Sequence, residues 1–152
     1  MLGLNDKAPD FSLPGSDGKE HTLKEFSGRY LVLYFYPKDD TPGCTIEAKA
    51  FSKELQRIRK LGAEVVGISK DDFDSHCRFR DKYVLSLLLL SDTDSKAIKA
   101  YGAYGDRGIF GFGTLRKTYI IDKKGKIAKI FPKVQPLGHE KEVLEFLSSV
   151  KD

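Results

Sequence analysis

A chain of 152 residues that is 40% hydrophobic and 32% charged suits one domain, expected over residues 1–152, that buries about two-thirds of its unfolded surface without disulfide or metal staples. Its 26 basic and 22 acidic residues are interleaved, as in Asp122-Lys123-Lys124. That argues for a solvated mixed surface and against the clustered basic face of a nucleic-acid-binding protein. No apolar run approaches the ~18 residues of a membrane span, and the Met1–Asp6 start has neither the basic nor the apolar region of an export signal. With only two cysteines, the expected setting is a reducing cytoplasm in which thiols start free.

Residues 1–29 read as an extension of short strands. Ala8 to Pro14 alternates in the strand manner, and Pro14-Gly15-Ser16-Asp17-Gly18 is a turn by composition. His21 to Leu23 forms the return strand, and Lys24 to Gly28 a short helical turn. Tyr30 to Tyr36 is continuously apolar and aromatic, so it is expected as a central strand covered on both faces. Pro37 ends it. Thr41-Pro42-Gly43 is read as a turn, followed by a helix over Thr45 to Lys60. There Ala48, Phe51, Leu55 and Ile58 form one apolar stripe, and Gly62 closes the element.

Ala63 to Ser69 is a second buried strand. Asp71 or Asp72 caps a helix that runs to about Tyr83 and carries His76 and Cys77. Leu87 to Leu90 is a third strand, and Asp92 or Asp94 caps a short helix through Tyr101. A glycine-rich loop over Gly102 to Gly113 leads to a hairpin, Leu115 to Ile121 and Lys126 to Phe131, around Asp122-Lys123-Lys124-Gly125. Gly138 to Val150 is the last helix, with Val143, Leu144 and Leu147 inward. Helices alternating with buried strands give a mixed α/β sheet sandwiched by helices.

The chemistry concentrates where the first core strand turns into the first long helix. Cys44 falls in the opening turn of that helix, whose unpaired N–H groups and partial positive charge favour an anion. The thiolate is the nucleophilic form of cysteine. Thr41 sets a hydroxyl three residues upstream, and Pro37 and Pro42 stiffen the loop. The competing reading is a small apolar residue packed under a helix start.

The pattern Pro37-x-x-x-Thr41-x-x-Cys44, inside Tyr-Pro-Lys-Asp-Asp-Thr-Pro-Gly-Cys-Thr, resembles the active-site signature of peroxiredoxins, most closely the Q-type or bacterioferritin comigratory branch. Ala8-Pro9-Asp10-Phe11, Gly67-Ile68-Ser69, Leu89-Leu90-Ser91-Asp92 and the strand around Arg116 resemble further stretches of the family. The resemblance implies a thioredoxin fold with a mixed central sheet, and a cofactor-free thiol peroxidase. In that reading Cys44 attacks the O–O bond of a hydroperoxide and becomes a sulfenic acid. Thr41 orients the peroxide, and Arg116 favours the thiolate and stabilises the leaving oxygen. The Gly43 and Cys44 amides complete the pocket, with Pro37 and Pro42 shaping it. Glu47 matches a glutamate of the branch that either holds Arg116 or stands as an exposed helix carboxylate.

A resolving cysteine often stands five residues after the first in this branch, but here that position is Lys49. Cys77, on the next helix, is the candidate instead. Resolution by an external thiol is the alternative, and a non-enzymatic redox sensor or holdase is a reading from another class. The implied partner is thioredoxin or a similar dithiol donor. A monomer is expected, with a dimer left open. His21, His76 and His139 are scattered, so no zinc site is expected. The glycine-rich loop precedes a strand and lacks the lysine of a phosphate loop. No Cys-x-x-Cys motif is present.

Overall fold

The structure, a computed structural model, describes residues 2–150. Five strands form the central sheet: β3 (Tyr30–Phe35), β4 (Ala63–Ser69), β5 (Leu88–Ser91), β8 (Lys117–Ile121) and β9 (Ile127–Phe131), in the order β5-β4-β3-β8-β9. β3 to β5 are parallel, while β8 runs antiparallel to β3 and β9 antiparallel to β8. The longest aromatic run in the chain therefore occupies the middle of the sheet, where both its faces are covered.

One face is packed by α1 (Pro42–Lys60), α4 (His139–Ser149) and Phe79 of α2 (Phe73–Tyr83), which meet Val32, Tyr34, Val65, Leu87, Leu89 and Ile120. The stripe Ala48, Phe51, Leu55, Ile58 of α1 is fully buried there, as its three- and four-residue spacing requires. On the other face α3 (Lys96–Ala100) and the N-terminal segment cover Leu31, Leu33, Phe35, Val66 and Ile68. The N-terminal segment is a small hairpin of β1 (Ser12–Pro14) and β2 (Glu20–Thr22), followed by a 3₁₀ turn over Leu23–Phe26.

Close packing at the sheet centre depends on Gly67. It lies opposite Tyr34 in the β3–β4 register, and a Cβ there would stand 2.8 Å from the Tyr34 ring. The absent side chain lets that ring lie across β4.

Three expectations need correction. α1 begins at Pro42, not Thr45, with Thr41 as its N-cap. Proline fits the first helical position because its missing N–H would be unpaired there anyway. α3 is capped by Ser95, at φ 59. Asp92 instead accepts the Ile98 N–H from behind, and Asp94 accepts that of Lys96. The glycine-rich stretch is not simply a loop. It folds into a hairpin of β6 (Tyr104–Asp106) and β7 (Phe112–Thr114) around a 3₁₀ turn, with Ile109, Phe110 and Phe112 exposed. Gly108 and Gly111 adopt positive φ at this turn, which local composition alone does not distinguish from a loop. Among the described residues no helix is long and apolar enough to cross a membrane.

Candidate active site

The end of β3 carries the chain from the sheet centre to its edge, and the segment after Phe35 turns directly into α1. Cys44 is the third residue of that helix. Its side chain is 1% exposed. The amides of Gly43 and Cys44 lie in the first turn, where no intrahelical carbonyl is available to them.

Arg116 reaches the same point from the segment between β7 and β8. Its Nη2 donates to Cys44 Sγ at 3.2 Å and its Nη1 to Glu47 Oε1 at 3.2 Å. The guanidinium thus joins two residues one helical turn apart on α1. The register Phe35↔Lys117 between β3 and β8 brings it there. Gly43 is required for the approach, because a Cβ at this position would lie 2.6 Å from Arg116 Nη2. On the same side Pro136 contributes to the wall, its Cγ 3.2 Å from that Cβ position. The Val134 N–H, donating to the Arg116 carbonyl at 3.2 Å, ties the Pro136 loop to it.

Glu47 is buried, not an exposed helix carboxylate, at 1% exposure. Burial pushes its carboxyl up to about 7, against the opposing pull of Arg116. Its Oε2 and the hydroxyl of Tyr34 are both buried without a hydrogen-bond partner. Burial first, then the nearby Glu47 and Cys44, holds the Tyr34 hydroxyl well above the usual tyrosine range. Tyr34 therefore keeps its proton at the floor of the site.

Thr41 is the half-buried N-cap of α1. Its hydroxyl donates to the Lys38 carbonyl at 2.9 Å, closing the loop on itself. Both lone pairs of that oxygen stay available to accept. Pro37 is half-buried and Pro42 exposed at the start of α1.

Cys77 has separate surroundings. It lies on α2, half-buried, and its thiol donates to the Ser16 carbonyl at 3.7 Å. Both cysteines are free thiols. Lys49 is exposed on α1, with its ammonium 5.7 Å over the Tyr83 ring. No group of three or more His, Cys, Asp or Glu side chains with metal-binding geometry occurs among the described residues.

Sequence reasoning grouped Thr41, Gly43, Cys44 and Arg116 and left Glu47 open between a place at Arg116 and an exposed one; Gly43, Cys44, Glu47 and Arg116 converge. It missed Tyr34, read only as core, and Pro136, which lies beyond any local motif.

Residues 4–130 match the AhpC/TSA family. A protein named as a peroxiredoxin bcp of Helicobacter pylori is 46% identical over 149 residues, spanning 96% of this chain and 98% of its own. Peroxiredoxin Q of Populus jackii, a chloroplast protein, is 46% identical over 145 residues, covering 93% of this chain and 66% of its own. A cysteine-to-serine mutant of PrxQ from Xylella fastidiosa superposes with a TM-score of 0.96 at 30% identity, over 100% of this chain and 99% of that one. The bacterioferritin comigratory protein of Xanthomonas campestris, studied for its alkyl peroxide reduction activity, superposes at 0.91 with 33% identity, over 100% and 99% of the two chains. The mixed sheet flanked by helices is the thioredoxin fold of these peroxiredoxins. With the match to the family spanning residues 4–130 and relatives this similar over nearly the whole length, the chain belongs to the AhpC/TSA family.

Proposed function

We propose that the chain is a thiol-dependent peroxidase acting on hydrogen peroxide and organic hydroperoxides through Cys44. The observation that carries this is the contact between Cys44 Sγ and Arg116 Nη2 at 3.2 Å, in a buried helix start. A guanidinium there offers a charge-assisted hydrogen bond to a thiolate. The thiolate attacks the nearer oxygen of the hydroperoxide, and the O–O bond breaks. The sulfur takes that oxygen as a sulfenic acid, and the other oxygen leaves with its substituent and gains a proton as water or alcohol.

The remaining residues supply position and charge. The Thr41 oxygen accepts a hydrogen bond from the peroxide O–H, since its own proton is committed to Lys38. The first-turn amides and Arg116 face the oxygen on which charge develops. Pro37, Pro42 and Pro136 wall the approach. Stopped-flow kinetics with hydrogen peroxide test the reading. Fast consumption by the wild type and its loss in a folded Cys44→Ser variant are expected, and a wild-type rate no faster than that of free cysteine would sink it.

Completion of the cycle is assigned to Cys77. Its thiolate attacks the sulfenic sulfur, expelling the oxygen as water and leaving a disulfide that thioredoxin or a similar dithiol donor reduces. The Cα atoms must come within about 7 Å for that bond, so the first turn of α1 or α2 has to loosen. One observation favours the alternative of an external resolving thiol: the Cys77 thiol is engaged with the Ser16 carbonyl, whereas Cys44 Sγ is engaged with Arg116. Peptide mapping after one turnover separates the two. A Cys44–Cys77 peptide supports internal resolution, and a Cys77 that remains alkylatable rejects it.

A further inference from the structure

A second buried charged cluster lies beside the Cys44 pocket, and no step above uses it. His76 is 0% and Asp39 6% exposed. The His76 ring stands between two acceptors, with Nε2 2.9 Å from the Leu90 carbonyl oxygen and Nδ1 2.7 Å from Asp39 Oδ2. A carbonyl oxygen only accepts, so Nε2 carries a proton. Asp39 also receives the Tyr36 hydroxyl at 2.6 Å and the Ser75 hydroxyl at 2.8 Å. Two groups this close cannot face each other with lone pairs alone, so the Nδ1–Oδ2 contact holds a proton as well.

We propose that His76 is held as an imidazolium and that, with Asp39, it forms a buried ionic latch positioning the Pro37–Thr41 loop against α2. The functional half of this proposal rests on Cys44 being the reactive thiol; the latch itself does not. The loop is fastened to α2 at two places. Asp39 holds Ser75 and His76 in the first turn. Asp40, at φ 59, takes Lys82 at 2.8 Å and Tyr83 at 2.6 Å in the last turn. A third carboxylate, Asp71, accepts the Asp39 N–H and the Ser69 hydroxyl, each at 2.8 Å.

Pulling the loop from α2 takes Asp39 with it and leaves the buried His76 ring without its counter-charge, where a single charge is costly. Loop and helix therefore stay together, and Thr41, two residues past Asp39, keeps its place as the N-cap of α1. Cys77 directly follows His76, so loosening the start of α2 to move Cys77 also opens the latch. His76 and Asp39 act through the loop as positioning residues and touch no reacting atom.

The test uses the reduced full chain at neutral pH. Nitrogen-15 NMR is expected to show two ring N–H signals for His76. Asp39→Asn is expected to leave one, and to speed amide exchange in residues 38–46 and 73–77 about tenfold, with β8 and β9 still protected. Its reaction with hydrogen peroxide should slow by a similar factor, about tenfold. Should Asp39→Asn not fold, Ser75→Ala removes a single donor and is expected to speed exchange in the same segments by a smaller factor. A single ring N–H in the wild type, or unchanged exchange in a folded variant, overturns the latch. Two ring N–H signals with faster exchange in Asp39→Asn, in a wild type that consumes no peroxide, establish the latch and reject the peroxidase.

Discussion

Glu47→Gln tests the electrostatics of the site through stability. The buried carboxyl has its proton affinity raised from 4.5 to about 7, chiefly by burial. In the unfolded chain it ionises near its ordinary value. Between those two points the unfolded state has lost a proton that the folded state still holds, so folding weakens as pH rises. The stability is fully present below 4.5 and is lost on approaching 7, with a flat plateau beyond. At about 1.4 kcal/mol for each tenfold in proton affinity, the whole window is worth about 3 kcal/mol. Glutamine fills the same space with no charge to bury, so the variant escapes this loss. Relative to wild type it should gain about 2 kcal/mol on going from pH 5 to pH 8. For a chain of this size that is a shift of about 1 M in the urea midpoint. Urea titrations of both proteins at the two pH values measure it. A midpoint difference that does not change with pH would refute burial as the dominant influence on Glu47.

Two further substitutions probe the geometry around the sulfur. Gly43→Ala places a methyl 2.6 Å from Arg116 Nη2 and should displace the guanidinium, lowering the peroxide rate by roughly 100-fold, the scale of losing one charge-stabilising donor; a near-wild-type stopped-flow rate would count against Arg116. Thr41→Val removes the hydroxyl bonded to Lys38 and should cost about 1 kcal/mol of stability together with a slower peroxide reaction, both restored in large part by Thr41→Ser; a valine variant as fast as wild type would remove the hydroxyl from substrate orientation.

The elements that could be read from sequence are those whose signals are local. The aromatic run at Tyr30 to Phe35, the α1 stripe and the Asp122–Gly125 turn each occupy their expected places, because periodicity and turn chemistry act over a few residues. The Asp72 cap is a local signal too, its carboxylate accepting the Ser75 N–H at 2.9 Å. The helix start at Pro42 was obscured by Thr-Pro-Gly, which serves equally as a turn and as a cap with proline in first position. The site itself was only partly legible. Cys44 and Thr41 share one stretch, but Tyr34, Pro136 and the Asp39–His76 pair acquire meaning only through the sheet order and the α2 packing. Arg116 became visible through a family resemblance, since nothing within its own neighbourhood points toward a residue 72 positions away.

That distance bears on how the molecule matures. The thiol and its guanidinium meet only after β8 has paired with β3, a contact between segments separated by more than half the chain. Such non-local pairings require a large loop to close and form late relative to helices and hairpins. A chain still emerging from synthesis, with β3 and α1 complete but β8 absent, would present Cys44 without Arg116. Its chemistry would be that of an ordinary cysteine. Under the proposed function, reaction with peroxide during refolding would then serve as a clock for the closing of the central sheet, with the burst of fast reactivity marking the moment the two halves of the chain are joined.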